Sequence, residues 1–285
     1  MTSIIKGMED LHTHSRFSVD SEADVEKMIE KAISLGLKAY AVTDHCEVNR
    51  WYTEEYYGGT KIYPYFDFKS DYERSVGYIS GIKERYQGRI ELVCGIELGQ
   101  AHQFPDIAQT VVDDKRIDFI LGSVHQLPQT EDFAFLKYDE MTQAEAEELL
   151  ERYFIEICRL CEWGKLDSLA HLTYPLRYYI KNGIKVDISR FDGIIESALK
   201  TLAQNGKALE INGSGIRQGA GMTFPTAKYA KMFKDVSGEL ITFGSDAHTA
   251  EDIGAGICEA AKEAKSAGFE RAVYFKQRKP MFIDI

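Results

Sequence analysis

The segment Asp10-Leu11-His12-Thr13-His14 carries polar side chains at every second position. Alternate side chains of an extended strand point to the same side, so Asp10, His12 and His14 would face one way. Two imidazoles from one strand can hold one metal ion, and imidazole together with carboxylate suits Zn, Mn or Fe. A polar strand end without a metal can carry the same pattern. The case for a metal site therefore depends on the other histidines.

Six of the seven histidines follow the end of a strand-like run. Beyond the first motif they lie in Thr43-Asp44-His45, Ser123-Val124-His125, Ala170-His171 and Ser245-Asp246-Ala247-His248. One more strand end, Gly95-Ile96-Glu97, supplies a carboxylate. The seventh, His102, is interpreted as an ordinary core or outer residue. The C-terminal strand ends of a parallel barrel converge on one face, so we expect the six to meet there. The carboxylates expected with them are Asp10, Asp20, Asp44, Glu97 and Asp246.

Short apolar runs alternate with amphipathic patterns, which is typical of βα units around a parallel sheet. Seven runs predict strands: one leading to Asp10, then 39–43, 90–96, 117–122, 166–170, 208–211 and 240–243. The first helix should begin after Ser21 and Asp24, which are arranged like a capping box, and stop at Gly36. Further helices are predicted near 69–87, 142–163, 189–205, 225–234 and 250–268.

Composition limits the function classes. The chain has 285 residues, 44% of them hydrophobic, and 34 Lys and Arg against 45 Asp and Glu give a net charge of −11. An acidic chain disfavours a nucleic-acid partner. No apolar run is long enough for a membrane span and the start lacks a signal peptide's core, so we expect a cytoplasmic protein. Length alone permits one or two domains, and the lack of a linker favours one over 1–285.

Two other features bear on cofactors. The five cysteines favour reduced thiols, and the C-x-x-C of Cys158 and Cys161 within a helical pattern is interpreted as structural. Neither a P-loop nor a strand-linked Gly-x-Gly-x-x-Gly is present, so no nucleotide cofactor is expected.

Two connections are too long for plain βα turns. Residues 46–68 are rich in Trp, Tyr and Phe, which leaves open a satellite core or a lid over a site. Residues 171–188 include Tyr174, Arg177, Tyr178 and Tyr179, and we expect them to form a substrate loop.

In their order along residues 10 to 248, the motifs DLHTHS, TDH, GIE, SVH, AH and SDAH resemble the PHP (polymerase and histidinol phosphatase) domain family. The resemblance implies a distorted (β/α)7 barrel in a single domain, with three divalent metal ions. It agrees with the seven strands counted from the apolar runs.

Carried over residue by residue, the resemblance implies three sets of metal ligands. They are His12, His14, Glu97 and Asp246; Glu97, His125 and His171; and Asp20, His45 and His248. Asp10 and Asp44 would be outer groups that orient His12 and His45. Glu97, Asp246 and His248 are also the expected catalytic residues. The ions, of uncertain identity among Zn, Mn and Fe, would make the pocket positive inside an acidic protein.

A positive pocket of this kind suits a phosphate ester. A metal-activated hydroxide would attack phosphorus in line, although such sites can also hydrolyse amides. Three features resemble the stand-alone histidinol-phosphatase branch of the family: the segment Glu210-Ile211-Asn212-Gly213-Ser214-Gly215-Ile216-Arg217, Phe224-Pro225, and the Arg177 segment after His171. The resemblance implies L-histidinol phosphate as substrate. Arg177 and Arg217 are the candidates for binding the phosphoryl group, because a guanidinium offers paired donors.

Two alternatives stay open. One is a phosphoesterase of the same family acting on nucleotides or nucleic-acid 5′ ends, which a basic groove would favour. The other is a metal-binding scaffold without catalysis, which the loss of ligands would favour. We therefore predict a metal-dependent phosphomonoester hydrolase and leave the oligomeric state open.

Overall fold

The structure is a computed structural model that describes residues 5–49 and 67–285. Its main sheet is parallel, and the strands pair in chain order apart from a short third strand beside the fourth. The strands are β1 (Glu9–Asp10), β2 (Ala39–Val42), β3 (His45–Glu47), β4 (Glu91–Gly99), β5 (Phe119–Ser123), β6 (Ser168–Leu169), β7 (Ala208–Asn212) and β8 (Ile241–Gly244). All seven predicted strands are thus present, and β3 is an addition that pairs with β4 through His45 and Glu97.

The first and last strands of the sheet meet and nearly close it. The backbone N–H of Leu11 donates to the carbonyl of Phe243 at 2.8 Å, and the N–H of Asp246 donates to the carbonyl of His12 at 2.8 Å. A further parallel bridge joins Thr13 and Ala247. The predicted (β/α)7 barrel is confirmed, and its closure places the motif after β1 beside the motif after β8.

Helices surround the barrel. They are α1 (Val25–Ser34), α2 (Phe68–Ile82), α3 (Pro105–Val112), α4 (Gln143–Trp163), α5 (Leu176–Lys181), α6 (Asp192–Gln204), α7 (Ser214–Arg217), α8 (Ala227–Asp235) and α9 (Ile257–Ser266). The six predicted helices correspond to α1, α2, α4, α6, α8 and α9. The shorter α3, α5 and α7 were not predicted, because a few turns at most give little periodicity to read.

The start of α1 differs from the prediction. Its N-cap is Asp24, whose carboxylate accepts from the N–H of Lys27 at 3.1 Å. The expected capping box with Ser21 is wrong, since the Ser21 hydroxyl donates instead to the carbonyls of His14 and His248, each at 2.9 Å. Ser21 therefore links two of the histidine-bearing loops.

The barrel interior is filled at its N-terminal end. An apolar cluster of Leu11, Ala39, Val93 and Phe119 packs there against a C-terminal hairpin that the sequence analysis did not predict. The hairpin consists of β9 (Arg271–Lys276) and β10 (Lys279–Asp284). The ring of Phe275 stacks on that of Phe119 with centroids 5.1 Å apart. Among the described residues, this hairpin covers the N-terminal end of the barrel, opposite the end that bears the histidines.

The cysteines are free thiols. Burial raises the pKa of Cys161 and raises that of Cys94 to about 12, so these thiols are poor nucleophiles at neutral pH. Within residues 5–49 and 67–285, no helix combines the length and hydrophobicity that a bilayer span requires.

Candidate metal centre

The six histidines expected at one face lie together at the C-terminal ends of the strands. The loops after β1, β5, β6 and β8 carry His12 and His14, His125, His171 and His248, while His45 begins β3. The centroids of neighbouring imidazole rings are 4.3 to 5.4 Å apart. His102 stands apart from them and pairs with Glu156, Nε2 to Oε2, at 2.6 Å.

Glu97 is at the centre of the cluster. Its Oε1 lies 3.0 Å from the Nε2 atoms of both His125 and His171. Its Oε2 lies 3.4 Å from Nε2 of His12 and 3.6 Å from Nε2 of His14. One buried carboxylate therefore contacts ligand candidates from three loops, as expected for a group that bridges two ions.

The first predicted ligand set is brought together. Asp246 Oδ1 lies 3.4 Å from Nε2 of His14 and 3.8 Å from Nε2 of His12, completing a group with Glu97. Tetrahedral zinc with ligand bonds of about 2.0–2.1 Å would separate its ligands by about 3.4 Å. The distances from Asp246 Oδ1 to the two imidazole nitrogens are therefore close to those expected between ligands of one zinc ion.

The second and third sets are also close, with two overlaps. Nε2 of His125 and Nε2 of His171 lie 3.3 Å apart beside Glu97. Asp20 Oδ2 lies 2.9 Å from Nε2 of His248 and 3.5 Å from Nε2 of His45. Groups able to hold an ion are His14 with Asp20, His45 and His248; His12 with His14 and Glu97; and His45 with Glu97 and His125. His14 and His45 thus lie between two sites each.

Unpartnered atoms test whether these residues fit a metal. Among the described residues, Nε2 of His12, Nε2 of His14, Nδ1 of His45 and Oε2 of Glu97 are buried and lack a hydrogen-bond partner. Buried polar atoms without partners are rare and costly, and metal ions bound among these residues would satisfy all four. The donor set fits divalent ions such as Zn, Mn or Fe.

The charges in the cluster depend strongly on each other. Burial would lower the pKa of His12, but Glu210, Glu97 and Asp246 outweigh it and raise the pKa well above its usual value. Burial opposes ionisation of Glu97, yet His125 and His12 keep its pKa well below the usual range. Burial, reinforced by His248 and His45, lowers the pKa of His14 to about 3. Without an ion, the cluster therefore holds protons that an ion would displace.

Two carboxylates to which the sequence analysis assigned no such role hold predicted metal ligands in place. Oε1 of Glu210 accepts from Nδ1 of His12 at 2.7 Å, and Oε2 accepts from the backbone N–H of His171 at 2.7 Å. Oε1 of Glu47 accepts from Nδ1 of His125 at 2.8 Å. Such carboxylates fix the tautomer and ring orientation of a metal-binding imidazole. The sequence did hold one signal for the role of Glu210. This residue lies near the C-terminal end of β7, just as Glu97 lies near the C-terminal end of β4.

The predicted roles of Asp10 and Asp44 are wrong in detail. The Asp10 carboxylate accepts from the N–H and hydroxyl of Ser245, at 2.9 and 2.6 Å, and from the N–H of Gly254. The Asp44 carboxylate accepts from the N–H and hydroxyl of Ser15 and from the hydroxyl of Ser75. These acids therefore brace the loops beside Asp246 and His14, and they do not hold the rings of His12 and His45.

The two arginines are placed differently. Arg177 lines the cavity at the centre, and its Nη2 donates to Asp246 Oδ2 at 2.6 Å and to the Ser214 hydroxyl at 2.8 Å. Arg217 is not among the lining residues, and its Nη2 donates to the carbonyl of Asp246 at 2.8 Å. Direct phosphate binding by Arg217 stays a prediction.

A cavity of about 280 Å³ opens over the cluster. Its lining includes His45, Glu97, His125, His171, Asp246 and His248, with Tyr174, Arg177 and Tyr178 from the predicted substrate loop. Phe68 also lines it. The choice between a satellite core and a lid for residues 46–68 depends mainly on residues 50–66, which lie outside the described residues.

Comparison with known proteins agrees with this geometry. A family model described as PHP domain matches residues 10–214. The chain is 30% identical over 92% of its length to a probable histidinol-phosphatase of Thermotoga maritima, covering 94% of that protein. It is 28% identical to the histidinol-phosphatase of Lactococcus lactis, over 95% of each chain.

A solved structure resembles the fold closely. The crystal structure of histidinol phosphate phosphatase from Lactococcus lactis, complexed with Zn, L-histidinol and phosphate, superposes with a TM-score of 0.77. It is 26% identical, and the match covers 96% of this chain and 98% of that chain.

Proposed function

This chain belongs to the PHP domain family, and from that premise we propose that it hydrolyses L-histidinol phosphate to L-histidinol and inorganic phosphate. Relatives that match nearly the whole chain are named histidinol-phosphatases. The resembling crystal structure contains both products of this reaction together with Zn.

One observation carries the proposal. The cavity joins a cluster of buried imidazoles and carboxylates, centred on Glu97, to the guanidinium of Arg177. A metal cluster beside an arginine is an arrangement suited to a phosphoryl group, whose charge is spread over several oxygens.

We propose that three divalent ions occupy the cluster. Their ligands would be His12, His14, Glu97 and Asp246; Glu97, His125 and His171; and Asp20, His45 and His248. When bound, such ions supply Lewis acidity to phosphoryl oxygens and lower the pKa of coordinated water. Their six positive charges against three ligand carboxylates leave the pocket positive, which selects an anionic substrate.

The protein's own groups have distinct tasks. Arg177 keeps one nitrogen on Asp246, and its buried Nε has no partner among the described residues, so it retains donors for a phosphoryl oxygen. Nη2 of Arg217 donates to the backbone carbonyl of Asp246, and we propose that its guanidinium also binds the phosphoryl group. Glu97, Asp246 and His248 line the cavity and are the residues we propose to act beside the reacting phosphate.

Steady-state assays of the metal-loaded protein test the proposal. Phosphate release from L-histidinol phosphate, AMP and short 5′-phosphorylated oligonucleotides should be compared at equal concentrations. We expect kcat/KM to be largest for L-histidinol phosphate. A preference for AMP or the oligonucleotides would favour a nucleotide phosphoesterase, and no release from any of them would favour a scaffold.

A further inference from the structure

The cavity contains an acid that the metal cluster does not use. Asp132 is half-buried and lines the same cavity as the histidines. Of the other lining acids, Asp20, Glu97 and Asp246 contact the clustered imidazoles, and Glu47 is bonded to His125. Asp132 is thus the one lining acid, among the described residues, that contacts no histidine.

Among the described residues, the carboxylate of Asp132 has no lysine or arginine beside it. It is the N-cap of a 3₁₀ turn at Phe133–Phe135, where Oδ1 accepts from the N–H of Ala134 at 2.8 Å. In the described part of the chain, no lysine or arginine nitrogen lies within ion-pair distance of it. Burial raises the pKa of this carboxyl although His125 and the N–H of Ala134 lower it, which reflects the cost of keeping a charge out of water. A ligand cation would remove that cost.

Tyr174 connects Asp132 to the metal cluster. Its ring centroid lies 4.9 Å from that of His125 and 4.7 Å from that of His171. Its hydroxyl lies 3.5 Å from Oδ1 of Asp132. The acid is therefore about one tyrosine side chain away from the ligands of the second ion.

The spacing between Asp132 and the histidine cluster suits the spacing between the phosphate and the amine of the proposed substrate. In L-histidinol phosphate, an ester oxygen and two carbons separate the phosphorus from the protonated amine. A phosphate at the metals with its ester oxygen toward Tyr174 would bring that amine to the side of the cavity where Asp132 lies. The aromatic side chains of Phe135, Tyr174 and Tyr178 line the same region and offer faces for the imidazole.

We propose that Asp132 binds the protonated amine of the substrate, and so selects phosphomonoesters that carry a cation a few atoms from the phosphate. The inference rests on the proposed function and adds a specificity-determining residue to it. Asp132 contacts the amine and takes no part in breaking the P–O bond.

The test compares Asp132→Asn with the unsubstituted enzyme on two esters. One is L-histidinol phosphate, and the other is the same ester without the amino group. Asparagine still caps the turn, so the fold should be retained. We expect kcat/KM of the variant for L-histidinol phosphate to fall about 10- to 100-fold, mainly through KM, as a lost charge-assisted hydrogen bond predicts. The value for the amine-free ester should not change.

Glu131→Gln is the matched control, because this neighbouring acid is exposed and does not line the cavity. It should leave both substrates unaffected. If Asp132→Asn kept the full preference for the amine, the inference would be overturned while the proposed function stood. If the unsubstituted enzyme cleaved phenyl phosphate but not L-histidinol phosphate, the proposed function would fail, and the inference with it.

Discussion

Nδ1 of His12 and Oε1 of Glu210 lie 2.7 Å apart, and both side chains are buried. A carboxylate only accepts, so this contact fixes the proton on Nδ1 and leaves Nε2 free toward Glu97. The second oxygen of Glu210 accepts from the backbone N–H of His171. A single residue of β7 therefore sets the orientation of ligands after β1 and β6.

Glu210→Ala should lower metal affinity or kcat about 10- to 100-fold, because the His12 ring loses the group that orients it. Metal content after dialysis, measured by atomic emission, checks the change together with kcat. Glu239→Gln, at an exposed acid, is the control and should retain both. Full metal content and activity in folded Glu210→Ala would show that His12 needs no such partner.

His171→Ala should remove a ligand of the second ion while the fold survives. Because Nε2 of His171 lies 3.0 Å from Glu97, we expect a lower metal-to-protein ratio and turnover reduced at least about 100-fold. The comparison is His102→Gln, which disturbs the pair with Glu156 outside the cluster and should change stability more than metal content. An active His171→Ala with unchanged stoichiometry would remove this residue from the ligand set.

The two arginines should differ in kinetics. Arg177→Ala loses a cavity-lining guanidinium and should lower kcat/KM about 100-fold, whereas Arg217→Ala should raise KM with the metals retained. Initial rates over a range of L-histidinol phosphate concentrations, with metal analysis of each variant, separate the effects. An unaltered KM in Arg217→Ala would leave it only the structural contact with the Asp246 backbone.

Glu9, buried in β1, should make stability depend on pH. Burial, with a smaller effect from Asp10, raises the pKa of this carboxyl to about 8 in the folded protein. Between about pH 4.5 and 8 the folded state holds a proton that the unfolded state releases, so this group's contribution to stability falls as the pH rises. Glu9→Gln removes that dependence.

Relative to the unsubstituted protein, Glu9→Gln should gain free energy of unfolding as the pH rises from 5 to 8. Over this pH range the gain should be about 3–4 kcal/mol, at about 1.4 kcal/mol per pKa unit. Urea unfolding at matched pH values and metal loading measures it. A difference between the two proteins that stays constant with pH would show that Glu9 is already ionised when folded.

The strands and the histidine cluster could be predicted because both depend on local patterns. Most apolar runs end in a polar motif. Because the barrel closes, the C-terminal ends of its strands meet on one face, and the polar motifs meet there too. The hairpin of β9 and β10 lacked such a signal, since its turn residues Gln277 and Arg278 adopt positive φ angles of 49° and 63° without the usual Gly or Asn.

The supporting acids were harder to assign. The family resemblance implied that Asp44 orients His45, yet adjacent side chains of an extended chain point to opposite sides. The group that orients His12 is Glu210, 198 residues away, and only the barrel topology brings them together. Sequence neighbourhood therefore indicated the ligands, while their partners required the three-dimensional structure.

The most direct test of the metal cluster is anomalous diffraction from crystals of the zinc-loaded protein grown with phosphate. We expect separate zinc peaks about 2.0–2.3 Å from ligand atoms, with Glu97 bridging two of them and phosphate oxygens next to the metals and Arg177. Zinc peaks confined to other parts of the molecule, with none beside Glu97, would contradict the account.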